Sequence, residues 1–468
     1  MSSSRSQALA FACALVNQGV GMTASLLLVL LCRDPAELGL WTLCTSLAGY
    51  MAFADLGLSG LLARRLARLG PAAAVALGEA SAGRFARTAG TLALSAGLVA
   101  SLALTALPLI GDYSWGQAGA LAAAAVAGAA IAWSNIRRVA HRGAGRWPAF
   151  IRVDLGMESL PALARVAGAS FGALAMAGAT LAVNMAVAVS LGRTRTTLAR
   201  PLPWQQLLLG ACPFLLSGLA GVMVATAARW LMAPFLGLHD IGLYAAAATG
   251  AALVLAVASG IQNILTPAAG AAIASGQANR LKTPFFLLLA TLSCTGLAVA
   301  ILFPLVLPWF APAYSDAALM VPPLAAAAVC QGLVAQICSA AALGSRNAWI
   351  GPLGQVIAIA MIAIAIPTTL SFKPDPVFAA WAAGLAGGVA LPIALAMVAR
   401  SAGPSGRWIV WLGLAGTAAV AGATWLACAT SALTTAWRAG FGVFAGMVAL
   451  ACLGTLLRSA RRMGERCG

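Results

Sequence analysis

Long apolar stretches follow one another along the whole chain, each separated from the next by a few polar residues. A helix rises 1.5 Å per residue, so about 20 apolar residues cross the hydrocarbon core of a bilayer. On that length the pattern predicts helices over 8–32, 39–63, 89–110, 115–136, 148–167, 171–191, 205–236, 241–266, 284–308, 318–342, 348–370, 377–398, 408–428 and 436–457. These are fourteen membrane spans. The first runs too far to be the short apolar region of a cleaved signal and reads as a retained helix.

Composition agrees with that reading. The 468 residues are 62% hydrophobic and 8% charged, far too little polar material for a soluble surface. A net charge of +17 could suggest nucleic acid, but the basic residues sit in short clusters between the apolar runs. With a cytoplasmic N-terminus, inner loops and termini hold twenty-two of the twenty-eight basic residues, and outer loops hold only Arg33, Lys373 and Arg438. Six acids (Asp34, Glu37, Asp112, Asp240, Asp316 and Asp375) fall outside. This is the positive-inside rule. It places both termini in the cytoplasm of a multi-pass membrane protein, with no role in binding nucleic acid expected. The ten cysteines show no CxxC spacing, and most fall in apolar runs, so neither a disulfide framework nor a metal site is expected. No cofactor is expected either.

One segment breaks the pattern. "FIRVDLGMESLPALARVAG" (150–168) carries Arg152, Asp154, Glu158 and Arg165 as well as Pro161. The basic clusters at 137–146 and 193–200 should both face inward, so two spans must separate them, and the four charges fall within the first. At 100° per residue Asp154, Glu158 and Arg165 lie within about 40° of one another, and Arg152 points away. Charges in hydrocarbon are costly, so this stripe faces a wet cavity or another helix.

A repeat runs through the chain. "ELGLWTLCTSLAGYMAFADLGLSG" (37–60) returns as "DIGLYAAAATGAALVLAVASGIQN" (240–263), bringing Gly39-Leu40-Trp41 onto Gly242-Leu243-Tyr244 at an offset of 203. Tyr113-Ser114 and Tyr314-Ser315 each open a helix at nearly the same offset. Residues 1–200 and 201–400 would thus be two six-helix lobes, related by a pseudo-twofold axis along the membrane normal. Residues 401–468 add helices 13 and 14 and a basic cytoplasmic tail.

At these residues the chain also resembles a known family. "AELGLWTLCTSLAGYMAFADLGLSGLLARRLAR" (36–68), "HDIGLYAAAATGAALVLAVASGIQNILTPAAG" (239–270) and the stretch from "APAYSDAALM" (311–320) to "SAAALGSRNAW" (339–349) are similar to the second-, eighth- and ninth-to-tenth-helix regions of bacterial oligosaccharide and polysaccharide (O-antigen-type) flippases. The resemblance implies membership of the multidrug/oligosaccharidyl-lipid/polysaccharide exporter superfamily, with two lobes about a central cavity. It further implies a lipid-linked oligosaccharide as cargo, joined through pyrophosphate to a polyprenyl lipid and carried from the inner to the outer leaflet for surface polysaccharide biosynthesis. Membrane lipids, a polysaccharide polymerase and glycosyltransferases would be its partners.

Such a cargo needs cations in the membrane. Guanidinium groups stay protonated and hold phosphate through parallel hydrogen bonds. Arg165, Arg229 and Arg152 are the candidates to line the cavity, with Glu158 and Asp154 beside them; the 137–146 cluster could receive the head group first. The bland reading pairs Asp154 and Glu158 with Arg165 or a neighbouring helix, and has Arg152 snorkel to the inner surface. About two negative charges leaving a negative interior would gain up to roughly 4–5 kcal/mol at 100 mV. If an ion is coupled instead, Asp55, Asp154 and Glu158 are the titratable sites, unless Asp55 simply caps a helix. In-span amides such as Asn17, Asn184, Gln331 and Gln336 most simply bond helix to helix. Trp41 and Tyr244 fall where an outer aromatic belt is expected.

Two alternatives compete. A multidrug/cation exporter of the same superfamily would favour an acidic cavity, whereas this chain carries arginines as well. A membrane glycosyltransferase needs a large outer loop, and no outer loop here exceeds about ten residues. The chain reads as a transporter and not as an enzyme.

Overall fold

The computed structural model describes residues 2–62, 90–110, 113–143, 146–192, 204–274, 276–344, 349–401, 406–429 and 435–467. A helix stands at each of the fourteen expected places. They are α1 (Ser2–Leu31), α2 (Pro35–Met51), α3 (Gly90–Leu109), α4 (Trp115–Gly143), α5 (Trp147–Gly168), α6 (Ala173–Gly192) and α7 (Trp204–Met232). There follow α8 (Leu238–Ala274), α9 (Lys282–Phe310), α10 (Val321–Gly344), α11 (Ile350–Phe372), α12 (Pro376–Ser401), α13 (Trp408–Ala429) and α14 (Thr435–Cys467). Ten described segments are long and apolar enough to cross a membrane, and shorter apolar stretches lie at Val16–Leu31 and Gly440–Leu456. Among the basic loop residues, Arg64, Arg65, Arg68, Arg84, Arg87, Arg193, Arg195, Arg200 and Arg346 lie outside the described residues.

Local chemistry sets several helix starts. Asp34 and Asp375 each precede a proline and accept a hydrogen bond two residues on, from the Ala36 and Val377 amides, both at 2.8 Å. A proline at the first helical position loses nothing, because its amide would have no partner there. Ser114 and Gln117 form a reciprocal box at the head of α4: the Ser114 amide donates to Gln117 Oε1 (3.0 Å) and the Gln117 amide donates to Ser114 Oγ (3.2 Å).

The chain packs as two units, residues 1–32 with 40–222 and residues 33–39 with 223–468. In the first, α5 packs on α1, α4 and α6, and α4 packs on α6. Buried positions of α4 are alanines (Ala118, Ala125, Ala129, Ala132), all nearly inaccessible, and Ala129 and Ala132 pack with Ala93 of α3. Small side chains let backbones approach closely where lipid supplies no hydrophobic drive. In the second unit α10 packs on α12 and α11 on α12, repeating the α4–α6 and α5–α6 pairings six helices later; α9 and α14 form another extensive pair.

Two backbone features mark the second span. The second span breaks after α2: residues 52–57 form turns and the helix resumes at 58, with Leu56 at φ +54° and Gly57 at φ +77°. Glycine takes that conformation freely, whereas Leu56 pays about 1–2 kcal/mol for it. The first turn of α2, which belongs to the second unit, also meets the first turn of α8 reciprocally. A Cβ on Gly39 would collide with the Leu238 carbonyl, and a Cβ on Gly242 with the Pro35 carbonyl. Pro35 and Leu238 are themselves 203 residues apart, the offset of the sequence repeat. Trp41 and Tyr244 are buried at 5% and 4% exposure and so form no exposed belt; they follow this close packing into the interior.

Candidate functional site

The charged stripe of α5 is the centre of a polar network in the first unit. Asp154 is 2% exposed and is held from two sides. Arg138 of α4 places Nε 2.7 Å from Asp154 Oδ1, and Asn17 of α1 donates from Nδ2 to Asp154 Oδ2 at 2.7 Å. The same Arg138 reaches Glu158 Oε1 through Nη1 at 2.8 Å. Asn17 Oδ1 in turn accepts from the Ser159 hydroxyl at 2.6 Å. Donor and acceptor ends of Asn17 are both used, so its amide has one orientation. Three helices are tied by one guanidinium and one amide.

Helical spacing explains the arrangement. Asp154 and Glu158 lie one turn apart on one side of α5, Ser159 is about 100° further round and reaches Asn17 of α1, and α5 packs on both α1 and α4. Asp154 points into that packing. Glu158 is more open, with 47% of its side chain exposed.

Arg165 lies two turns further along and is half-buried. Its Nε donates to the Pro161 carbonyl at 3.2 Å, and Glu158 is the charge that acts on it. Proline at 161 leaves no amide hydrogen there, yet α5 continues through it. Arg152, on the other side of the helix, is exposed and folds back to the Pro148 carbonyl at 3.3 Å. Neither arginine forms a salt bridge with a carboxylate among the described residues. The acids of α5 are answered by α4, and the arginines of α5 are left over.

The remaining candidates stand apart from this network. Asp55 is fully buried beside the break in the second span, where its two oxygens accept the Gly57 and Ser59 amides, each at 3.0 Å. It thus caps the resuming helix. Arg229, in the part of α7 that belongs to the second unit, is half-buried and acts electrostatically on the buried Tyr244 of α8. In-span amides there tie helices together: Gln331 donates to the Val224 carbonyl (3.0 Å) and Gln336 to the Ala258 carbonyl (2.7 Å).

Sequence reasoning placed Asp154 and Glu158 on one face but did not choose their partner. Arg138 stood in a run of inner-side arginines read as setting orientation and as a first contact for the head group. The missing signal was geometric: Arg138 lies five residues before the end of α4 and Asp154 is the eighth residue of α5, and packing of the two consecutive helices sets them at one level.

No protein-family model matches the chain in sequence, and none of the curated proteins does. Solved structures match in fold. The inward closed conformation of the lipid II flippase MurJ superposes with a TM-score of 0.63 at 10% identity, covering 95% of this chain and 98% of that one. The outward-facing conformation of a multidrug resistance MATE family transporter of the MOP superfamily gives 0.55 at 14% identity, covering 88% and 96%. A MOP superfamily transporter from Pyrococcus furiosus, described as having a binding pocket of reverse polarity, gives 0.57 at 16% identity, covering 88% and 96%. The chain therefore has the all-helical fold of the MOP superfamily transporters. Both flippases and multidrug exporters share that fold.

Proposed function

We propose that the protein is a flippase moving a polyprenyl-pyrophosphate-linked oligosaccharide from the inner to the outer leaflet of the bacterial inner membrane, by alternating access. The observation that carries this reading is the pairing within the α5 stripe. Arg138 answers both Asp154 and Glu158, and Asp55 is committed to a helix cap. The acids that would attract a cationic drug are therefore already engaged. Arg165 and Arg152 hold only backbone carbonyls and are suited to an anionic head group. The longer match to the lipid II flippase than to the exporters supports the same reading.

In this scheme Arg152, Arg165 and Arg229 screen the pyrophosphate, while Asp154 and Glu158 position Arg138 and the α1–α4–α5 interface. The oligosaccharide goes on to surface polysaccharide, with glycosyltransferases supplying it and a polymerase consuming it. The test is transport in proteoliposomes of a fluorescent lipid-linked oligosaccharide. Arg165→Ala and Arg229→Ala should each lower its movement about tenfold, the usual scale of one lost charge-assisted contact of about 1.5 kcal/mol. Efflux of an organic cation by the same liposomes, with no movement of the glycan, would overturn the reading in favour of a cation exporter.

A further inference from the structure

The second unit has a pair of helix starts whose charges run against the helix dipole. α9 begins at Lys282, directly after a 3-10 turn (Ala278–Leu281) that carries Arg280. α13 begins at Trp408, directly after Arg407. The Phe285 and Trp408 rings lie 5.8 Å apart, so the two starts stand side by side. The positive end of a helix dipole favours acids, and α2 and α8 carry Glu37 and Asp240 in their first turns. The first turns of α9 and α13 carry none. Arg280, Lys282 and Arg407 are exposed, and none forms a salt bridge among the described residues.

An unsatisfied donor marks the same place. Trp408 is 6% exposed, and its Nε1–H meets no acceptor among the described residues. A buried indole N–H ordinarily finds one. An exposed ring also follows each exposed cation one turn further along: Phe286 after Lys282, and Trp411 after Arg407. Residues four apart share a helix face. A cation outermost with an aromatic ring one turn deeper is the order of a bilayer surface. Charged tips reach the phosphates there, and rings lie at the head-group level. The charge pattern of the sequence sets these helix ends at the inner leaflet, whose surface is negative.

We propose that the paired starts of α9 and α13 hold the head group of an anionic phospholipid of the surrounding bilayer. Lys282 and Arg407 meet its phosphate, and the Trp408 indole donates to a phosphate or ester oxygen. Phe286 and Trp411 cover the upper part of its chains. The lipid supplies the negative charge that both helix dipoles lack, and it fastens α13 to α9. The site does not depend on what the transporter carries, so it stands or falls apart from the flippase reading.

The experiment titrates the full-length protein in neutral detergent with phosphatidylglycerol or phosphatidylcholine and reads the thermal unfolding midpoint. Phosphatidylglycerol should raise the midpoint saturably, and phosphatidylcholine should not; an equal response to both overturns the proposal. Lys282→Gln with Arg407→Gln should raise the half-saturating phosphatidylglycerol concentration at least tenfold. Lys373→Gln, at an exposed lysine between α11 and α12, should leave it unchanged. Trp408→Phe keeps a ring against Phe285, removes the N–H, and should raise it several-fold. An unchanged half-saturation in the double variant overturns the site, and Trp408→Phe decides in the same way should the double variant not fold. An equal gain from inorganic phosphate overturns the lipid, leaving an ion site. A response at these residues to polyprenyl phosphate and not to phosphatidylglycerol assigns them to the cargo and overturns the proposal as well.

Discussion

Arg138 is the residue on which the first unit's polar interior depends. Its removal takes the guanidinium away from Asp154, a charge at 2% exposure. Breaking a buried pair by deleting one partner costs about 3–5 kcal/mol, whereas removing both charges together costs much less. Arg138→Met should therefore lower thermal stability sharply in detergent, and the double variant Arg138→Met with Asp154→Asn should recover most of the loss. If the double variant is no more stable than the single one, the pair is not the source of the effect. At this scale the sequence was half legible. Helical periodicity put Asp154 and Glu158 on one face and set Arg152 apart, as found. Partner choice was not readable, because it depends on how α1 and α4 lie against α5, and a one-dimensional pattern carries no such depth.

Among the elements, the helix positions were read well because each is dictated by bilayer thickness and punctuated by loop charges. The break at 52–57 was not foreseen, since its apolar composition continues without interruption and only Leu56 and Gly57 record the reversal in φ. The glycines matched between the two similar segments, Gly39 and Gly242, come together where the starts of α2 and α8 meet. Gly39→Ala and Gly242→Ala should each destabilise the protein by about 1–3 kcal/mol, the usual cost of overpacking. Gly21, in α1, has nothing near the position of an added Cβ. Gly21→Ala should be neutral or stabilising by about 0.5–1 kcal/mol, since alanine suits a helix interior better than glycine. Thermal unfolding of the three variants side by side decides it; equal behaviour of all three would mean the α2–α8 contact is loose in the membrane.

For the whole molecule, composition alone gave the class, and the fold comparisons agree with an all-helical architecture of roughly the expected helix count. The boundary between the packed units was less legible. It falls inside α7, at Val222–Met223, where hydropathy is uniform and no loop marks the change. A voltage test belongs to this scale. If a cargo of about two negative charges moves outward unaccompanied, an interior-negative potential of 100 mV favours its export by up to roughly 4–5 kcal/mol. Proteoliposomes given such a potential by a potassium gradient should export glycan several-fold faster than depolarised ones. A rate that ignores voltage but follows a sodium or proton gradient would point to ion coupling instead.

The contact between the starts of α2 and α8 also ties two distant stretches of the gene to one another. Each of the two similar segments contributes the bare position that accepts the other's carbonyl, so neither can drift without the other giving way. Recombination that grafts the front half of this chain onto the rear half of a distant cousin would succeed only where that cousin kept a hydrogen in place of a side chain at the equivalent of Gly242.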